Sequence, residues 1–430
     1  MKLLRNLLVA PAALGLLSPS SVTAGETNLI EVSSYSSSKE VRSIHQFNPV
    51  KEIAVTKKDI DRSEIQLTTF EAGSFSETTT MSGSASFQVG AVEQGDRTEA
   101  VTATYAYDID LNTSINGEDN LYIGIEAGNG GSDFSGANFV LDSSNSGGDT
   151  LKVTSLYYQF PLGSWQIATG TLLDVDDLMP TTTSTYSDEF FLGGYSGLKS
   201  NYYVTQGTGS GIAVAKIFDN GLNLSGSIIG TGASTRSGFL TKEGIDVLTL
   251  SLGYDATNFG GGIIYSKSDS LCNLVDNLVT DACNELGITG LLDEGYINTS
   301  IGGYWRPTNR TTLTATTNLV DVEAIELDID HIADFQFGVD HEIENGVLSA
   351  SWRTFPFYKI PDLNGNKIAG DEIGSYVELY YTHNINDSLQ IKPGITITLP
   401  TDHASTTSTD DVEFYLQDWT AIGVEAAFKF

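Results

Sequence analysis

The sequence has few basic residues, few methionines and almost no cysteine. Its 22 Lys and Arg stand against 55 Asp and Glu, and the net charge of −33 repels nucleic acid and anionic lipid surfaces. With 44 Gly and only 3 Met, long helices are not expected. No window approaches the roughly 20 apolar residues that a membrane-spanning helix needs. A nucleic-acid-binding protein and a helical membrane protein are therefore disfavoured.

Recognisable catalytic and metal-binding motifs are also missing. The sequence contains no G-x-S-x-G, no P-loop and no H-E-x-x-H, and its 5 His are scattered without metal-ligand spacing. We therefore predict no catalytic residue, no metal site and no cofactor. One alternative stays open, namely an outer-membrane barrel enzyme such as a lipid hydrolase, with a Ser/His site assembled from distant strands.

The only two cysteines, Cys272 and Cys283, lie in a polar, turn-rich stretch. No His lies near them, which disfavours a metal site. We predict a loop disulfide between them, as expected in an oxidising compartment. A pair of free thiols is the alternative.

The first residues have the organisation of a secretory signal peptide. Lys2 and Arg5 precede an apolar stretch, and Val22-Thr23-Ala24 forms a cleavage site of the A-x-A type. We expect residues 1–24 to be removed on export. Residues 25–79 are rich in Ser and charge, and we interpret them as a short, irregular periplasmic lead-in.

From residue 80 onward, apolar and polar residues alternate with the period of a β-strand. The pattern predicts sixteen strands, at about 80–92, 98–115, 119–127, 150–160, 163–173, 210–218, 221–230, 245–255, 258–267, 296–306, 309–320, 333–342, 346–355, 374–384, 388–398 and 418–430. In the strand at 333–342, Phe335 and Phe337 share one face, and Asp334 and Gln336 share the other. A polar inner face and an apolar outer face are typical of a barrel with a water-filled lumen.

The connections between these strands alternate in length. Tight turns such as Asp219-Asn220-Gly221 and Glu344-Asn345-Gly346 alternate with longer connections such as 231–244 and 356–373. Outer-membrane barrels have short periplasmic turns and long outer loops. A secreted, soluble β-rich binding protein or adhesin, the other alternative, has no reason to sort its loops in this way. We predict an all-β fold, a transmembrane antiparallel β-barrel of about 16 strands over residues 80–430, surrounded by outer-membrane lipids.

The start of the barrel resembles that of a known family. Phe70–Ala91 is similar to the barrel entry of cyanobacterial outer-membrane porins, of the carbohydrate-selective or iron-uptake porin family, and Leu7–Gly15 resembles their signal segment. Ser43–Val50 resembles the opening of their surface-layer-homology module and Lys57–Glu71 the end of their coiled coil, with nearly everything between missing. The resemblance implies a homotrimeric sixteen-stranded barrel that passes small solutes or inorganic ions. The missing module argues against tethering to the cell wall.

The connection at 174–209 is the longest, and it follows the fifth predicted strand, from which general porins fold a loop into the lumen. Its carboxylates are Asp174, Asp176, Asp177, Asp188 and Glu189. Clustered carboxylates in a narrow passage favour cations, so we predict a pore-constriction loop and a cation preference. By strand parity, Arg353 and Lys392 point into the lumen and face the loop across the pore. The alternative is that these acids only solvate an exposed loop.

Overall fold

The computed structural model describes residues 78–94, 101–130, 141, 148–186, 190, 208–231, 233, 238–240, 246–269, 295–322, 331–356, 373–399 and 419–430. The signal peptide, the residues of the lead-in before 78, Asp188, Glu189 and both cysteines lie outside them, so the predictions for these segments stay predictions. The described part of the chain contains no helix long and apolar enough to cross a bilayer.

Sixteen antiparallel strands form one closed barrel. They are β1 (Thr79–Gln94), β2 (Thr102–Thr113), β3 (Asn120–Gly128), β4 (Lys152–Leu162), β5 (Trp165–Leu173), β6 (Gly209–Ile217), β7 (Leu222–Gly230), β8 (Asp246–Asp255), β9 (Phe259–Ser268), β10 (Tyr296–Thr308), β11 (Thr311–Val322), β12 (His331–Ile343), β13 (Gly346–Pro356), β14 (Ile373–Asn386), β15 (Leu389–Leu399) and β16 (Trp419–Lys429). Each strand pairs with its neighbours in sequence, and β1 pairs with β16 to close the barrel.

The predicted fold class and strand number are therefore confirmed, and the predicted strand ends are close to the observed ones. The largest difference is at the start of β2, which was predicted at residue 98 and begins at Thr102. The predicted facing is also observed, since Phe335 and Phe337 are exposed and Asp334 and Gln336 are buried.

Strand β8 shows the alternation in its clearest form. Leu250 and Leu252 are each 50% exposed on the outer face, whereas Thr249 and Ser251 are buried on the inner face. The Thr249 hydroxyl is hydrogen-bonded to that of Ser266 on β9, at 2.7 Å. Apolar side chains thus point outward and hydrogen-bonded polar side chains inward, which suits a barrel with lipid outside and water inside.

The barrel closes around Phe430, at the end that carries the short turns. Gly83 of β1 exchanges two backbone hydrogen bonds with Phe430, of 2.9 and 3.1 Å. The Phe430 ring stacks on Tyr107 of β2, with 5.9 Å between ring centroids. A Cβ at position 83 would be 2.7 Å from the Phe430 ring, so the ring needs a glycine beneath it.

Candidate functional site

The chain turns into the barrel immediately after β5. Two tight turns form the root of this inner loop: the Asp174 N–H donates to Asp177 Oδ2 at 2.7 Å, and the Met179 N–H donates to the Asp176 carbonyl at 3.0 Å. The hydroxyl of Thr208, next to β6, donates to Asp174 Oδ2 at 3.0 Å. These bonds fix the direction in which the loop leaves the wall.

An apolar cluster holds the same root against the barrel. Leu173, the last residue of β5, and Val175 of the loop root pack against three residues on the inner faces of β6, β7 and β8: Ala213, Ile229 and Val247. Apolar residues on an inner face are unusual in a water-filled barrel. Here they are explained by the loop, which covers them.

Beyond the root, the loop crosses the inner wall, and alternate threonines attach it. The Thr181 hydroxyl is hydrogen-bonded to Asn223 Oδ1 of β7 and to the Ser251 hydroxyl of β8, each at 2.7 Å. Two residues later, the Thr183 hydroxyl meets that of Ser300 on β10 at 3.1 Å. In an extended segment every second side chain points the same way, so this spacing directs the hydroxyls to the wall.

The attachment continues over the following strands. Thr316 of β11 donates its hydroxyl to the Thr183 carbonyl, and the Thr185 and Thr314 hydroxyls are 3.1 Å apart. The Tyr186 hydroxyl then donates to Glu378 Oε1 of β14 at 3.1 Å. The segment from Thr181 to Tyr186 thus has contacts with the wall from β7 to β14.

Glycines form the part of the wall on which the loop lies. Gly253, Gly262 and Gly302 are register neighbours on β8, β9 and β10. A Cβ at Gly262 would be 2.3 Å from the Thr181 methyl carbon, and one at Gly302 would be 2.2 Å from the Thr183 carbonyl oxygen. Because these positions lack side chains, the loop reaches the strand backbone directly.

Aromatic rings hold the far end of the loop. Phe190 stacks on Tyr380 of β14 with 5.7 Å between centroids and 20° between ring planes, and Tyr186 meets Tyr380 edge-on at 6.3 Å. Gly338 lies beneath Tyr186 and Gly394 beneath Phe190, where an added Cβ would be 2.5 and 2.4 Å from the rings. The inner loop therefore extends from β5 to β15 and covers much of the inner wall.

The carboxyl groups at the loop root are densely surrounded by protein. Burial, with a smaller contribution from the nearby charge of Asp174, raises the pKa of Asp177 to about 7. Hydrogen bonds from the Asp174 backbone and from Tyr157 act in the opposite direction but are weaker than the effect of burial. Burial and the charges of Asp174 and Asp177 also raise the pKa of Asp176 well above its usual range. The charge of the root therefore changes near neutral pH.

The structure describes five of the seven predicted constriction and lumen residues. Asp174, Asp176 and Asp177 lie in the loop root, and Arg353 and Lys392 are on the inner faces of β13 and β15. Arg353 is only 1% exposed, and its guanidinium lies 5.9 Å from the Tyr376 ring centroid. Lys392 Nζ is 3.6 Å from Glu425 Oε1 of β16.

The sequence prediction omitted most of the residues that form this site. The hydroxyl attachments and the glycines beneath the loop are new. Seven inward carboxylates were not among the predicted site residues, although the alternation had already placed Asp334 on the inner face: Asp108, Asp110, Glu126, Asp334, Asp340, Glu378 and Glu425. Strand parity was a usable signal for these acids, because each occupies a polar position of its strand. No sequence signal identified which strands the loop would contact.

The closed sixteen-stranded barrel with a loop folded inside it was compared with known proteins. No protein-family model and no curated protein matches the sequence. Solved structures do match. OprB of Pseudomonas putida has a TM-score of 0.54 and 10% identity, covering 82% of this chain and 94% of its own. The sixteen-stranded barrel thus has the fold of bacterial outer-membrane porins.

Two further structures show the same likeness. The anion-selective porin from Comamonas acidovorans has a TM-score of 0.53 and 11% identity, over 82% of this chain and 99% of its own. A loop L8 deletion mutant of OmpT, an outer membrane protein of Vibrio cholerae, has a TM-score of 0.50 and 12% identity, over 82% of this chain and 100% of its own. At such identities the likeness shows the fold alone.

Proposed function

We propose that the protein is an outer-membrane porin through which small hydrophilic solutes and inorganic ions diffuse passively, with a preference for cations. The observation that carries this proposal is the inner loop itself, attached across the wall of a barrel whose outer face is apolar. Such a loop narrows the passage, and a narrowed, water-filled barrel filters solutes by size and charge without covalent chemistry.

The sign of the selectivity follows from the charges that face the lumen. Carboxylates outnumber inward basic groups on the described strands, and the loop root adds further acids, of which Asp177 is charged mainly above pH 7. The Lys392 charge is paired with Glu425, and Arg353 is almost fully buried. An excess of negative charge lowers the energy of a cation in the passage and raises that of an anion. The Comamonas acidovorans porin is named as anion-selective, so the fold by itself does not imply a cation preference.

The finer assignments rest on the sequence, by its resemblance to known porins and by the organisation of its first residues. These are membership of the cyanobacterial carbohydrate-selective or iron-uptake porins, a homotrimeric assembly, and export to the outer membrane by a signal peptide at residues 1–24. The cargo they imply, sugars or inorganic ions, is compatible with a polar lumen. Cross-linking of the protein in its native membrane tests the trimer, and N-terminal sequencing of the mature chain tests the cleavage.

Reconstitution in a planar lipid bilayer tests the function. We expect discrete conductance steps and, in a KCl gradient, a reversal potential of the sign set by potassium. Well-folded protein that gives no steps would overturn the porin proposal. A lipid-hydrolysis assay on the same preparation tests the enzymatic alternative.

A triple variant tests the role of the loop root. Above pH 7, where the Asp177 carboxyl is charged, Asp174→Asn, Asp176→Asn and Asp177→Asn together should move the reversal potential towards zero, because negative charge leaves the passage. The matched control replaces three acids of exposed short turns, through Glu118→Gln, Asp219→Asn and Glu344→Gln. Equal shifts in the two variants would show that the loop carboxylates do not set the selectivity.

A further inference from the structure

The inner wall of the barrel is covered unequally. Four inward residues of β11 are at most 5% exposed, namely Thr312, Thr314, Thr316 and Asn318. Two of them, Thr314 and Thr316, are hydrogen-bonded to the inner loop. Four inward residues of β2 are only half-buried, namely Thr104, Asp108, Asp110 and Asn112. Water therefore reaches the wall at β2, whereas the wall at β11 is covered.

The path of the inner loop explains this difference. At the root of the loop, Val175 belongs to the apolar cluster that includes Tyr157 of β4. At the far end, Phe190 packs in a cluster with Val92 of β1 and Ala421 of β16. The loop thus runs along the wall from β4 through the higher-numbered strands to β1. The inner faces of β2 and β3 lie in the gap between its two ends.

Three inward residues in this gap are acids. Asp108 of β2 is directly opposite Glu126 of β3, and Asp110 follows Asp108 on the same face. Opposite residues have Cβ atoms about 4.5–5.5 Å apart, and alternate residues of a strand are about 7 Å apart. All three acids are half-buried. The inward acids of β12, β14 and β16 are instead at most 4% exposed, namely Asp334, Asp340, Glu378 and Glu425.

Hydrogen bonds from neighbouring strands hold two of these carboxylates on the wall. The Ser84 hydroxyl of β1 donates to Asp108 Oδ2 at 2.8 Å, and the Tyr122 hydroxyl of β3 donates to Asp110 Oδ1 at 2.5 Å. An ionised carboxylate has about four acceptor positions, so one such bond leaves others for water or a hydrated cation. The two charges are therefore fixed in place and still accessible to an ion.

Basic residues are sparse around the three acids. Strands β1, β2 and β3 contain no Lys or Arg. Among the described strands, the inward base closest in register is Lys429 of β16, because its partner Ser84 is also the partner of Asp108. Two strand spacings are about 10 Å, roughly the Debye length at 0.1 M salt. The potential in the gap is therefore set mainly by the acids.

We propose that the passage for ions runs along the inner faces of β2 and β3, between the two ends of the inner loop, and that Asp108, Asp110 and Glu126 set its preference for cations. This assignment rests on the proposed porin function and names the residues that determine its selectivity. Accessible carboxylates lower the energy of a cation in the passage and raise that of an anion. The acids at the loop root add a smaller contribution.

The route is tested by the accessibility of single cysteines, in a background with Cys272→Ser and Cys283→Ser. Asp108→Cys, Asp110→Cys and Glu126→Cys are each folded into lipid nanodiscs and treated with a charged methanethiosulfonate reagent. Mass spectrometry then measures the modification. We expect all three to react, and Thr312→Cys, at a position 5% exposed on β11, to react about tenfold more slowly, because reaction needs an accessible thiolate. Equal rates at β2, β3 and β11 would overturn the route.

Charge rescue tests the role of the acids. In Asp110→Cys the potassium-to-chloride permeability ratio should fall about fivefold, the effect of one unit charge about 4 Å from an ion in water. An anionic sulfonatoethyl adduct on this cysteine should restore the ratio, and a cationic trimethylammonium adduct should lower it further. Equal effects of the two adducts would show that the charge at position 110 does not act on the ion.

A triple variant compares the gap with the loop root. Asp108→Asn, Asp110→Asn and Glu126→Gln together should lower the permeability ratio more than the loop-root triple variant does. A conducting channel with an unchanged ratio would refute the role of these acids. The modification experiment needs no current, so folded protein that gives no conductance steps refutes the porin function, while the cysteine rates still decide whether water follows β2 and β3.

Discussion

Gly302 lies directly beneath Thr183, so that a Cβ at position 302 would be 2.2 Å from the Thr183 carbonyl oxygen. The same carbonyl accepts the Thr316 hydroxyl from the neighbouring strand. At Gly302 the wall thus leaves space for the loop backbone, and the neighbouring Thr316 hydroxyl donates the hydrogen bond that holds the loop there. The distance of the loop from the wall depends on the missing side chain.

Replacement of Gly302 by alanine should push the inner loop away from the wall. We expect a smaller single-channel conductance and a destabilisation of about 1–3 kcal/mol, the usual cost of overpacking. Single-channel recording and thermal unfolding measure the two effects. Gly226→Ala is the control, because a Cβ there would be 3.1 Å from the end of the Leu250 side chain and 3.6 Å from the Thr249 carbonyl oxygen, an ordinary contact distance. An unchanged conductance in Gly302→Ala would show that this contact does not set the loop position.

Thr181 should be the strongest single attachment of the loop. Thr181→Val removes the hydroxyl that joins Asn223 and Ser251 and leaves buried polar groups unsatisfied, at a cost of about 1–3 kcal/mol. Thr185→Val removes one hydroxyl contact in a less buried position and should cost less. The temperature at which the barrel changes migration on gels compares the two. A larger loss in Thr185→Val would contradict this ranking.

Selectivity should depend on pH around neutrality. Since the pKa of Asp177 is raised to about 7, its carboxyl is neutral below that pH and charged above it. The preference for cations should therefore increase as the pH rises through about 7, and the increase should be smaller in Asp177→Asn. Reversal potentials across a pH series measure this dependence. An identical pH dependence in wild type and variant would exclude Asp177 as its source.

The same group should affect stability in the opposite direction. The pKa of an unfolded Asp is about 3.9, so the raised value means that the folded state holds the proton more tightly. The stabilisation is fully present below the unfolded pKa and is lost as the pH rises through about 7. Thermal unfolding at several pH values should show a decrease over this range, which Asp177→Asn should reduce.

Barrel closure should depend on Gly83. In Gly83→Val the new side chain overlaps the Phe430 ring and the Asp108 carbonyl, which lie 2.7 and 2.5 Å from a Cβ at this position. We expect a lower yield of folded barrel, measured by heat-modifiable migration after refolding into lipid. Ala85→Val adds similar volume two residues later on the same strand and should fold normally. Equal yields would show that the Phe430 contact is dispensable.

The strands were predictable from sequence because their two environments differ so strongly. Leu250 and Leu252 are exposed on the outer face while Thr249 and Ser251 are buried among polar groups, and this contrast appears in the sequence as a period of two. The short turns alternate with longer connections, and this alternation supported the prediction of a barrel. Together they determined the strand number, the antiparallel order and the side chains that point inward.

The path of the inner loop was not predictable, because its attachments join residues distant in sequence. Thr181, Thr183 and Thr185 resemble ordinary loop threonines, and only the closed barrel shows that they meet β7 to β11. Glycines at inward positions of adjacent strands, such as Gly253 and Gly262, were visible in the sequence, but their purpose was not. Parity likewise placed Asp334 on the inner face without showing that, within the described part of the chain, its Oδ2 has no hydrogen-bond partner.

Between Thr181 and Thr185 the loop is held to the wall by uncharged hydroxyl, amide and carbonyl groups. Salt weakens attraction between exposed charges but has little effect on such contacts. High ionic strength should therefore reduce charge discrimination while the width of the passage stays constant. In the proposed porin, size exclusion should therefore persist at salt concentrations that abolish the charge preference.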